Sequence, residues 1–317
     1  MRKIMQKVSI IGAGNVGATV AQEIVRAGLA DVVLLDINEG AARGKALDLL
    51  QAAALWGSPS RVTGTADYAD TRGSDVVVIT AGSPRKPGMS RDDLLKINAS
   101  IVSEAARKSH TASPRARFVV VTNPLDVMAY LVWKTTGVSW RRVIGMAGVL
   151  DSARFQAFIA DNLGVAVTDV RAMVLGGHGD QMVPVPSCST VNGVPVGELM
   201  SQETLKQLCE RTRNGGAEIV ELLKFGSAWY APGTAAASMV AAILQDTRRL
   251  LPCSVNAGGK YGLKSVFAGL PVVLGKRGVE QIVEVDLSEG ERAALAASAG
   301  SIRTNIERLS ELGLLQA

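Results

Sequence analysis

The first half of the chain alternates short, continuous apolar runs with segments of helical periodicity. The runs are Val8–Ile11, Val32–Leu35, Val76–Thr80 and Phe118–Thr122. Continuous apolar runs are typical of strands that are buried on both faces of a parallel sheet. Between the first two runs, Val16, Val20 and Ile24 recur at i, i+4 and i+8, which predicts an amphipathic helix. The alternation of strands and helices predicts an α/β fold built on a doubly wound parallel sheet.

The second half of the chain has a different pattern. It contains two predicted strands, a predicted hairpin on an Asn-Gly turn and three long helical stretches; these are Ala172–Leu175, Pro184–Cys188, Ser189–Val196, Gln202–Leu223, Gly233–Arg249 and Ser288–Leu312. We expect Gly215-Gly216 to bend the first of the long helices. The sequence therefore predicts two domains, an α/β domain over 1–145 and an α+β domain over 146–317. No Ser/Gly-rich linker separates them, so we expect them to share a face.

The composition limits the classes of partner. Hydrophobic residues make up 47% and charged residues 20% of 317 residues, so the chain can bury a full core. Lys and Arg exceed Asp and Glu by 34 to 29, a net charge of +5. The basic residues include three scattered pairs, Arg141-Arg142, Arg248-Arg249 and Lys276-Arg277, and no long basic run. This pattern predicts neither nucleic-acid nor membrane binding, and it suits small anionic ligands.

The cysteine pattern indicates a reducing compartment, and the lengths of the apolar runs bear on membrane insertion. Cys188, Cys209 and Cys253 are far apart and form no C-x-x-C pair, which argues against a disulfide framework and against a thiolate zinc site. We therefore predict no metal. No apolar run reaches 18 residues, so no membrane span is predicted and we expect a cytoplasmic protein.

A glycine motif lies between the first predicted strand and the first predicted helix. Gly12-Ala13-Gly14-Asn15-Val16-Gly17 fits G-x-G-x-x-G, and Asp36 follows at the end of the second strand. In a Rossmann-type domain such a turn lets the backbone approach a pyrophosphate, and the acidic residue accepts hydrogen bonds from the adenosine ribose. A carboxylate there would repel the 2′-phosphate of NADP, so the prediction is NAD. The alternative is a plain strand–turn–helix with a capping Asp.

Of the two histidines, His178 is the stronger candidate for chemistry. It lies in Gly176-Gly177-His178-Gly179-Asp180, directly after a predicted strand, where the glycines leave the imidazole open to a ligand. The alternative is a loop histidine bonded to backbone. His110 lies in a polar stretch and is predicted to be a surface residue.

Three further segments supply charged or polar groups. The loop 82–91 carries three cations after a predicted strand, which suits an anionic substrate and a lid; the alternative is a solvated loop before a helix at Ser90. Asp151 and Arg154 are three residues apart in a helical pattern. They form either a surface ion pair or an acid that orients His178 beside an arginine that holds a carboxylate. Asn123 ends a predicted strand and is expected to face the same crevice.

Taken in order, these segments resemble the lactate/malate dehydrogenase family over roughly residues 7 to 312. The resemblance rests on five motifs: 12–17, 81–91, 122–126, 148–154 and 176–180. It implies that His178 accepts the proton of the substrate hydroxyl while hydride leaves for the nicotinamide of NAD. It further implies that Asp151 fixes the His178 tautomer and that Arg154 grips the C1 carboxylate.

The resemblance also implies roles for residues whose chemistry the sequence alone leaves open. Arg91 would polarise the C2 oxygen, and Asn123 would hydrogen-bond substrate and cofactor. Asn98 and the segment Val121, Thr122 and Asn123 would line the cofactor groove, although a solvent-facing Asn98 fits the sequence nearly as well. The family forms dimers and tetramers, which implies a homo-oligomer, and the stretch 41–55 is either an interface helix or an ordinary helix that covers the sheet.

Arg85 carries the prediction of the substrate. Lactate-specific relatives have an uncharged Gln at the matching position, so Arg85 implies a second carboxylate, as in malate or oxaloacetate. Closing the site on pyruvate would strand the Arg85 cation, at a cost of about 2–5 kcal/mol. The prediction is an NAD-dependent malate dehydrogenase. The alternatives are a lactate or broad 2-hydroxy-acid dehydrogenase and a non-catalytic NAD-binding regulator. Ser187-Cys188 and Lys276-Arg277 depart from the family pattern away from the predicted chemistry.

Overall fold

The computed structural model describes residues 5–84 and 89–315, and the side chain of Arg91 lies outside this description. Six strands from the first half form a parallel arrangement: β1 (Lys7–Ile11), β2 (Asp31–Leu35), β3 (Val62–Thr65), β4 (Val76–Ile79), β5 (Arg117–Val120) and β6 (Val143–Gly145). Their order is β3-β2-β1-β4-β5-β6, so the chain reverses direction across the sheet between β1 and β4. This is the predicted doubly wound sheet, and a crevice outside the strand ends forms at such a reversal.

The four strands predicted from apolar runs are all present. β4 is buried at every position, as are four of the five residues of β1 and of β2, which accounts for continuous rather than alternating apolar runs. β3 and β6 were not predicted, because β3 reads Val-Thr-Gly-Thr and β6 reads Val-Ile-Gly. Strands this short give too few apolar positions for a periodicity argument.

The helices of the first half are α1 (Asn15–Arg26), α2 (Glu39–Trp56), α3 (Arg91–Ala112) and α4 (Leu125–Thr136). α3 begins after Ser90, whose side chain accepts from the Asp93 N–H while Asp93 reaches back to the Ser90 backbone, a capping box. In α2 the buried face consists of Ala42, Ala46 and Ala53, while the larger side chains Leu47 and Leu55 are 56% and 90% exposed.

The second half extends the same sheet with antiparallel strands. Its elements are α5 (Gly148–Leu163), β7 (Val170–Arg171), β8 (Val174–Gly176), β9 (Met182–Pro184), β10 (Thr190–Val191), β11 (Val194–Pro195), α6 (Val196–Leu199), α7 (Gln202–Leu223), α8 (Tyr230–Leu244), β12 (Arg249–Asn256), β13 (Phe267–Gly275), β14 (Gly278–Ile282) and α9 (Glu289–Glu311). β12 joins β6 through Ser254 opposite Gly145, and the order continues β12-β13-β8-β9. β14 pairs with the later part of β13, from Val272 to Gly275. A separate small sheet has the order β11-β10-β7.

Several predictions for the second half were wrong in detail. The predicted helix Gly233–Arg249 ends at Leu244, and Arg249 instead starts β12, because Asp246 and Arg248 turn the chain with positive φ. A strand was predicted over Pro184–Cys188, but only Pro184 belongs to a strand, as the last residue of β9. Residues 186–188 form a 3₁₀ turn instead. α7 runs without interruption through Gly215-Gly216, and the hairpin on Asn192-Gly193 is confirmed.

One large apolar core joins the two halves of the chain. Its buried members come from β1, β4 and β5 and also from α8, β12 and β13. A smaller cluster lies between α5, α7 and β9. Among residues 5–84 and 89–315, no helix is both long and apolar enough to cross a bilayer, and no group of three acidic, His or Cys side chains is arranged to hold a metal.

Candidate active site

The turn after β1 has the geometry that a bound dinucleotide requires. Gly12 adopts φ +108°, and a Cβ there would lie 2.7 Å from the Ala81 nitrogen, whereas a Cβ at Gly14 would meet nothing within 4 Å. A Cβ at Gly17 would collide with the Gly12 carbonyl oxygen. Among the described residues no side chain caps α1, whose amino end follows Gly14 directly. Its N–H groups and partial positive charge therefore suit a pyrophosphate.

Asp36 lies beside this turn. One carboxylate oxygen accepts from the Ala13 N–H at 2.7 Å and the other from the Asn38 N–H at 3.0 Å, and the side chain is partly exposed. Each oxygen keeps a further lone pair for a hydroxyl donor. Lys45 Nζ also donates to the Ala13 carbonyl at 2.7 Å. The residues present fit the pyrophosphate and ribose of NAD.

Asn98 occupies a different position from the solvent-facing one that the sequence allowed. It is 2% exposed; its oxygen accepts from the Ser83 N–H at 2.7 Å, and its NH₂ donates to the carbonyls of Ser83 and Asn123. Thr122 is buried and donates to the Ala81 carbonyl at 2.7 Å. These two side chains tie the segment after β4 to the segment after β5.

The charged side chains at the centre of the candidate site form one connected cluster of Asp151, Arg154 and His178. Asp151 is 1% exposed; its Oδ2 lies 2.9 Å from His178 Nδ1 and its Oδ1 lies 3.3 Å from Arg154 Nη1. The carboxylate thus contacts both cationic side chains, which excludes the alternative of a surface ion pair. The Arg154 Nε is buried and has no hydrogen-bond partner within the described chain.

Burial and neighbouring charges shift the pKa values of His178 and Arg154 in opposite directions. Burial of the His178 ring is the largest single influence and disfavours its charged form, but the carboxylates of Asp151 and Asp126 together outweigh burial and raise the pKa of His178. Burial lowers the pKa of Arg154 in spite of Asp151, and a guanidinium still remains protonated at neutral pH. Because Nδ1 faces Asp151, Nε2 is the ring nitrogen left for a substrate.

Two residues that sequence reasoning missed hold the His178 loop. The Asp126 carboxylate accepts from the His178 N–H at 2.8 Å, and burial raises the pKa of Asp126. Ser298 on α9 accepts from the Gly177 N–H at 2.8 Å and donates to the Gln181 carbonyl at 2.6 Å. Asp126 lay in one of the five motifs, so its position could have been noticed. Nothing in the sequence around Ser298 signals its contact with residue 177.

A cavity of about 500 Å³ collects the candidate residues. Its walls include Val16, Val121, Asn123, Arg154 and His178, which come from the first turn of α1, the segment after β5, helix α5 and the loop after β8. The peptide bond between Asn123 and Pro124 is cis. The structure therefore brings together candidate substrate and cofactor residues at the carboxyl edge of the sheet.

The cavity also contains residues that the sequence did not indicate. A Cβ at Gly215 would lie 3.3 Å from Arg154 Cδ, and one at Gly216 would lie 3.6 Å from Arg154 Nη2. The glycine pair thus makes room for Arg154 against α7. Arg213, Ser227 and Ala228 line the same cavity.

Two predicted substrate residues fall where the structure gives no side chain. Arg85 lies outside the described residues, and of Arg91 the backbone alone is described, as the first residue of α3. His110 was predicted to be a surface residue, but it is partly buried, with its ring 6.5 Å from that of Phe118.

Comparison with protein families gives two matches that cover most of the chain. The lactate/malate dehydrogenase NAD binding domain matches residues 6–145, and the lactate/malate dehydrogenase alpha/beta C-terminal domain matches residues 148–312. Malate dehydrogenase from Trichormus variabilis is 58% identical over 304 residues, which are 96% of this chain and 94% of that protein. Malate dehydrogenase from Rhodopirellula baltica is 52% identical over 308 residues, 96% and 98% of the two chains.

Solved structures agree with this assignment. Malate dehydrogenase from Salinibacter ruber is 48% identical and superposes with a TM-score of 0.93 over 97% of this chain and 98% of the other. Lactate dehydrogenase from Cryptosporidium parvum, complexed with lactic acid and NAD, is 42% identical with a TM-score of 0.94 over 98% and 99%. The chain belongs to the lactate/malate dehydrogenase family, whose N-terminal domain binds NAD.

Proposed function

We propose that this enzyme catalyses the reversible, NAD-dependent oxidation of (S)-malate to oxaloacetate. The observation that carries the proposal is the contact of one buried carboxylate, Asp151, with both His178 and Arg154 in a cavity beside the dinucleotide turn. Relatives that are 50–58% identical over nearly the whole chain are named malate dehydrogenase. We further propose that 1–145 supplies the cofactor site and 146–317 the catalytic residues.

When bound, NAD supplies the acceptor for the hydride that leaves C2 of the substrate. His178 Nε2 takes the proton of the C2 hydroxyl, while Asp151 holds Nδ1–H and stabilises the imidazolium that forms. In the reverse direction protonated His178 returns that proton, and the raised pKa of His178 favours this charged form. The residues Gly12, Ala13, Gly14, Asn15, Val16, Gly17, Asp36, Val121, Thr122 and Asn123 would form the cofactor groove, and Asn98 would position it.

Arg154 would bind the C1 carboxylate of the substrate. Its guanidinium is held on one side by Asp151, and its buried Nε lacks an acceptor within the described chain. A carboxylate in the cavity would complete that hydrogen bonding, and a bidentate fork fixes the orientation of the substrate. Asn123 would hydrogen-bond the substrate, and Arg91 would polarise the C2 oxygen as charge develops there.

The choice of a dicarboxylate rests on Arg85. The backbone of a lactate dehydrogenase superposes on this chain as closely as that of a malate dehydrogenase, so the fold leaves the substrate open. A guanidinium at position 85 would pair with the second carboxylate and would be stranded by pyruvate.

Steady-state rates with oxaloacetate and pyruvate test this function. We expect kcat/KM to favour oxaloacetate by about 30-fold or more, and Arg85→Gln to abolish most of that preference. A matched control is Lys86→Gln, which removes one charge from the same loop and is expected to leave the preference unchanged. Equal use of both keto acids by the parent enzyme would contradict the proposal.

We also propose that the enzyme is a homo-oligomer that pairs through α2. The alanines of α2 cover the sheet, while Leu47, Leu50, Leu55 and the neighbouring Ile37 remain more than 40% exposed. An apolar face of this kind on a monomer is a common mark of a subunit interface. Sedimentation of the parent and of Leu50→Glu tests this, with a smaller species expected for the variant. If Leu50→Glu sediments with the same mass as the parent protein, the proposed interface is overturned.

A further inference from the structure

A basic cavity lies at the amino edge of the parallel sheet, opposite the candidate active site. Its volume is about 650 Å³, and its walls carry four guanidinium groups, Arg72, Arg115, Arg117 and Arg142, against one carboxylate, Asp75. Asp75 immediately precedes β4, Arg117 is the first residue of β5 and Arg142 immediately precedes β6. The amino ends of neighbouring parallel strands therefore bring these charges together.

A second, smaller cavity continues this surface. It is about 240 Å³ in volume, shares Asp75 and Arg117 with the first, and adds the pair Lys276-Arg277 from the turn between β13 and β14. One member of the pair Arg141-Arg142, namely Arg142, and both members of Lys276-Arg277 thus contribute to one concave surface. Six cationic side chains line it, together with one carboxylate.

The cations of the larger cavity are poorly compensated. Asp75 accepts from the Lys7 N–H at 2.9 Å, and within the described chain none of the four arginines lies in an ion pair. Arg142 donates to the carbonyls of Pro114 and Ala116. Arg117 makes one long contact, 3.4 Å from Nη1 to the Arg115 carbonyl, and its buried Nε has no partner.

Such an arrangement is unfavourable unless an anion completes it. A buried N–H without an acceptor loses its hydration and gains nothing in return. Burial lowers the pKa of Arg142, and the charge of the neighbouring Arg117 lowers it further because the two guanidinium groups repel each other. Guanidinium forks bind phosphate and carboxylate groups bidentately, so an oxyanion would satisfy the free donors and cancel the repulsion.

We propose that this cavity binds a small, multiply charged oxyanion, bearing two phosphate groups or three carboxylates, at a site separate from the catalytic cavity. A small ligand fits better than a nucleic-acid strand because the charges line a concavity rather than a ridge. Pyrophosphate and citrate are suitable probes for the two kinds of oxyanion, and inorganic phosphate tests the need for multiple charges.

Calorimetric titration of the full chain at constant ionic strength tests the site. We expect one equivalent of pyrophosphate or citrate to bind at least about tenfold more tightly than inorganic phosphate, and the stronger of the two identifies the anion class. Because pyrophosphate could also enter the dinucleotide turn, the titration is repeated with saturating NADH. Binding that NADH abolishes would overturn the proposal.

Three variants with the same change of charge locate the anion. Arg117→Gln is expected to weaken binding by about tenfold or more, and Arg115→Gln, at an exposed position that tolerates substitution, by a smaller factor. Arg303→Gln, on the exposed side of α9, is the control and is expected to have no effect. Equal weakening in all three, or tighter binding of a short oligonucleotide than of either probe, would show a diffuse basic surface instead.

Discussion

The two histidines of this chain lie toward opposite edges of the sheet, and their pKa values are shifted in opposite directions. His178 follows β8 and lies at the carboxyl edge, where the carboxylates of Asp151 and Asp126 outweigh burial and raise the pKa of His178. His110 lies near the end of α3 at the amino edge, where burial and the Arg142 charge lower its pKa. The same side chain is thus favoured as a cation at one edge and as a neutral ring at the other.

The two edges differ in how far their cationic side chains are paired with carboxylates. At the carboxyl edge a single buried carboxylate contacts both cationic groups, so the charges are oriented before any substrate arrives. At the amino edge the arginines face one another, with Asp75 as the one carboxylate of the larger cavity. Paired cations suit a reaction that develops charge at a fixed point, and uncompensated cations suit capture of an anion.

The largest expected effect comes from replacing the histidine of the carboxyl edge. His178→Asn removes the proton acceptor, and we expect kcat/KM for malate and for oxaloacetate to fall by about 10³- to 10⁴-fold. NADH binding, followed by fluorescence, should change little. His110→Asn is the matched control, since it makes the same substitution toward the other edge. Similar losses in both variants would remove the catalytic role from His178.

Asp151→Asn tests the cause of the raised pKa. Without this carboxylate, His178 loses the main interaction that opposes the effect of its burial, so the pKa of His178 falls. Reduction of oxaloacetate requires protonated His178, and that activity is lost as pH rises through this pKa. The loss should therefore move to lower pH in the variant, with kcat reduced on the order of 10³-fold. Rate profiles against pH measure both effects, and an unshifted profile would assign the proton to another group.

Ser298→Ala tests how the His178 loop is held. The variant leaves the buried Gly177 N–H without its acceptor and the Gln181 carbonyl without its donor. We expect kcat to fall by about tenfold because the imidazole is less well placed, while KM for NADH stays constant. Ser298→Thr keeps a hydroxyl and should recover part of kcat. Ser301→Ala, one turn away at an exposed position, should leave kcat unchanged.

The carboxyl edge could be predicted from sequence where each functional group is local to a motif. Gly12–Gly17 and Asp36 directly follow parallel strands, and the carboxyl ends of parallel strands meet at one edge. The His178 loop follows β8, which runs antiparallel to those strands, so its motif identified the histidine but not its position. Asp126 and Ser298 could not be derived in this way. The contact of Asp126 with His178 spans 52 positions and that of Ser298 with Gly177 spans 121, so both depend on how α4 and α9 pack.

The basic cavity at the amino edge was not predicted from the sequence for a similar reason. Arg142 and Lys276-Arg277 are 134 residues apart and appear in the sequence as parts of separate basic pairs. No local pattern shows that the amino ends of β5 and β6 and the β13–β14 turn lie side by side. The helix α2 shows the opposite problem. Its leucines recur at helical spacing, but the structure buries alanines instead, since close packing on the sheet leaves no room for larger side chains.

The smallest expected effect is a change in Tm, and its sign should differ between a substitution at the amino edge and one at the carboxyl edge. Arg115→Gln removes one of several neighbouring like charges, so in low salt we expect Tm to rise by about 1 °C. The gain should disappear near 0.5 M salt, where the Debye length is only about 4 Å. Asp151→Asn also neutralises one charge, but it leaves Arg154 and His178 without their shared buried partner, so Tm should fall at every salt concentration. Calorimetric melting curves at two salt concentrations measure both changes, and a lower Tm for Arg115→Gln would mean that the amino-edge arginines are structural.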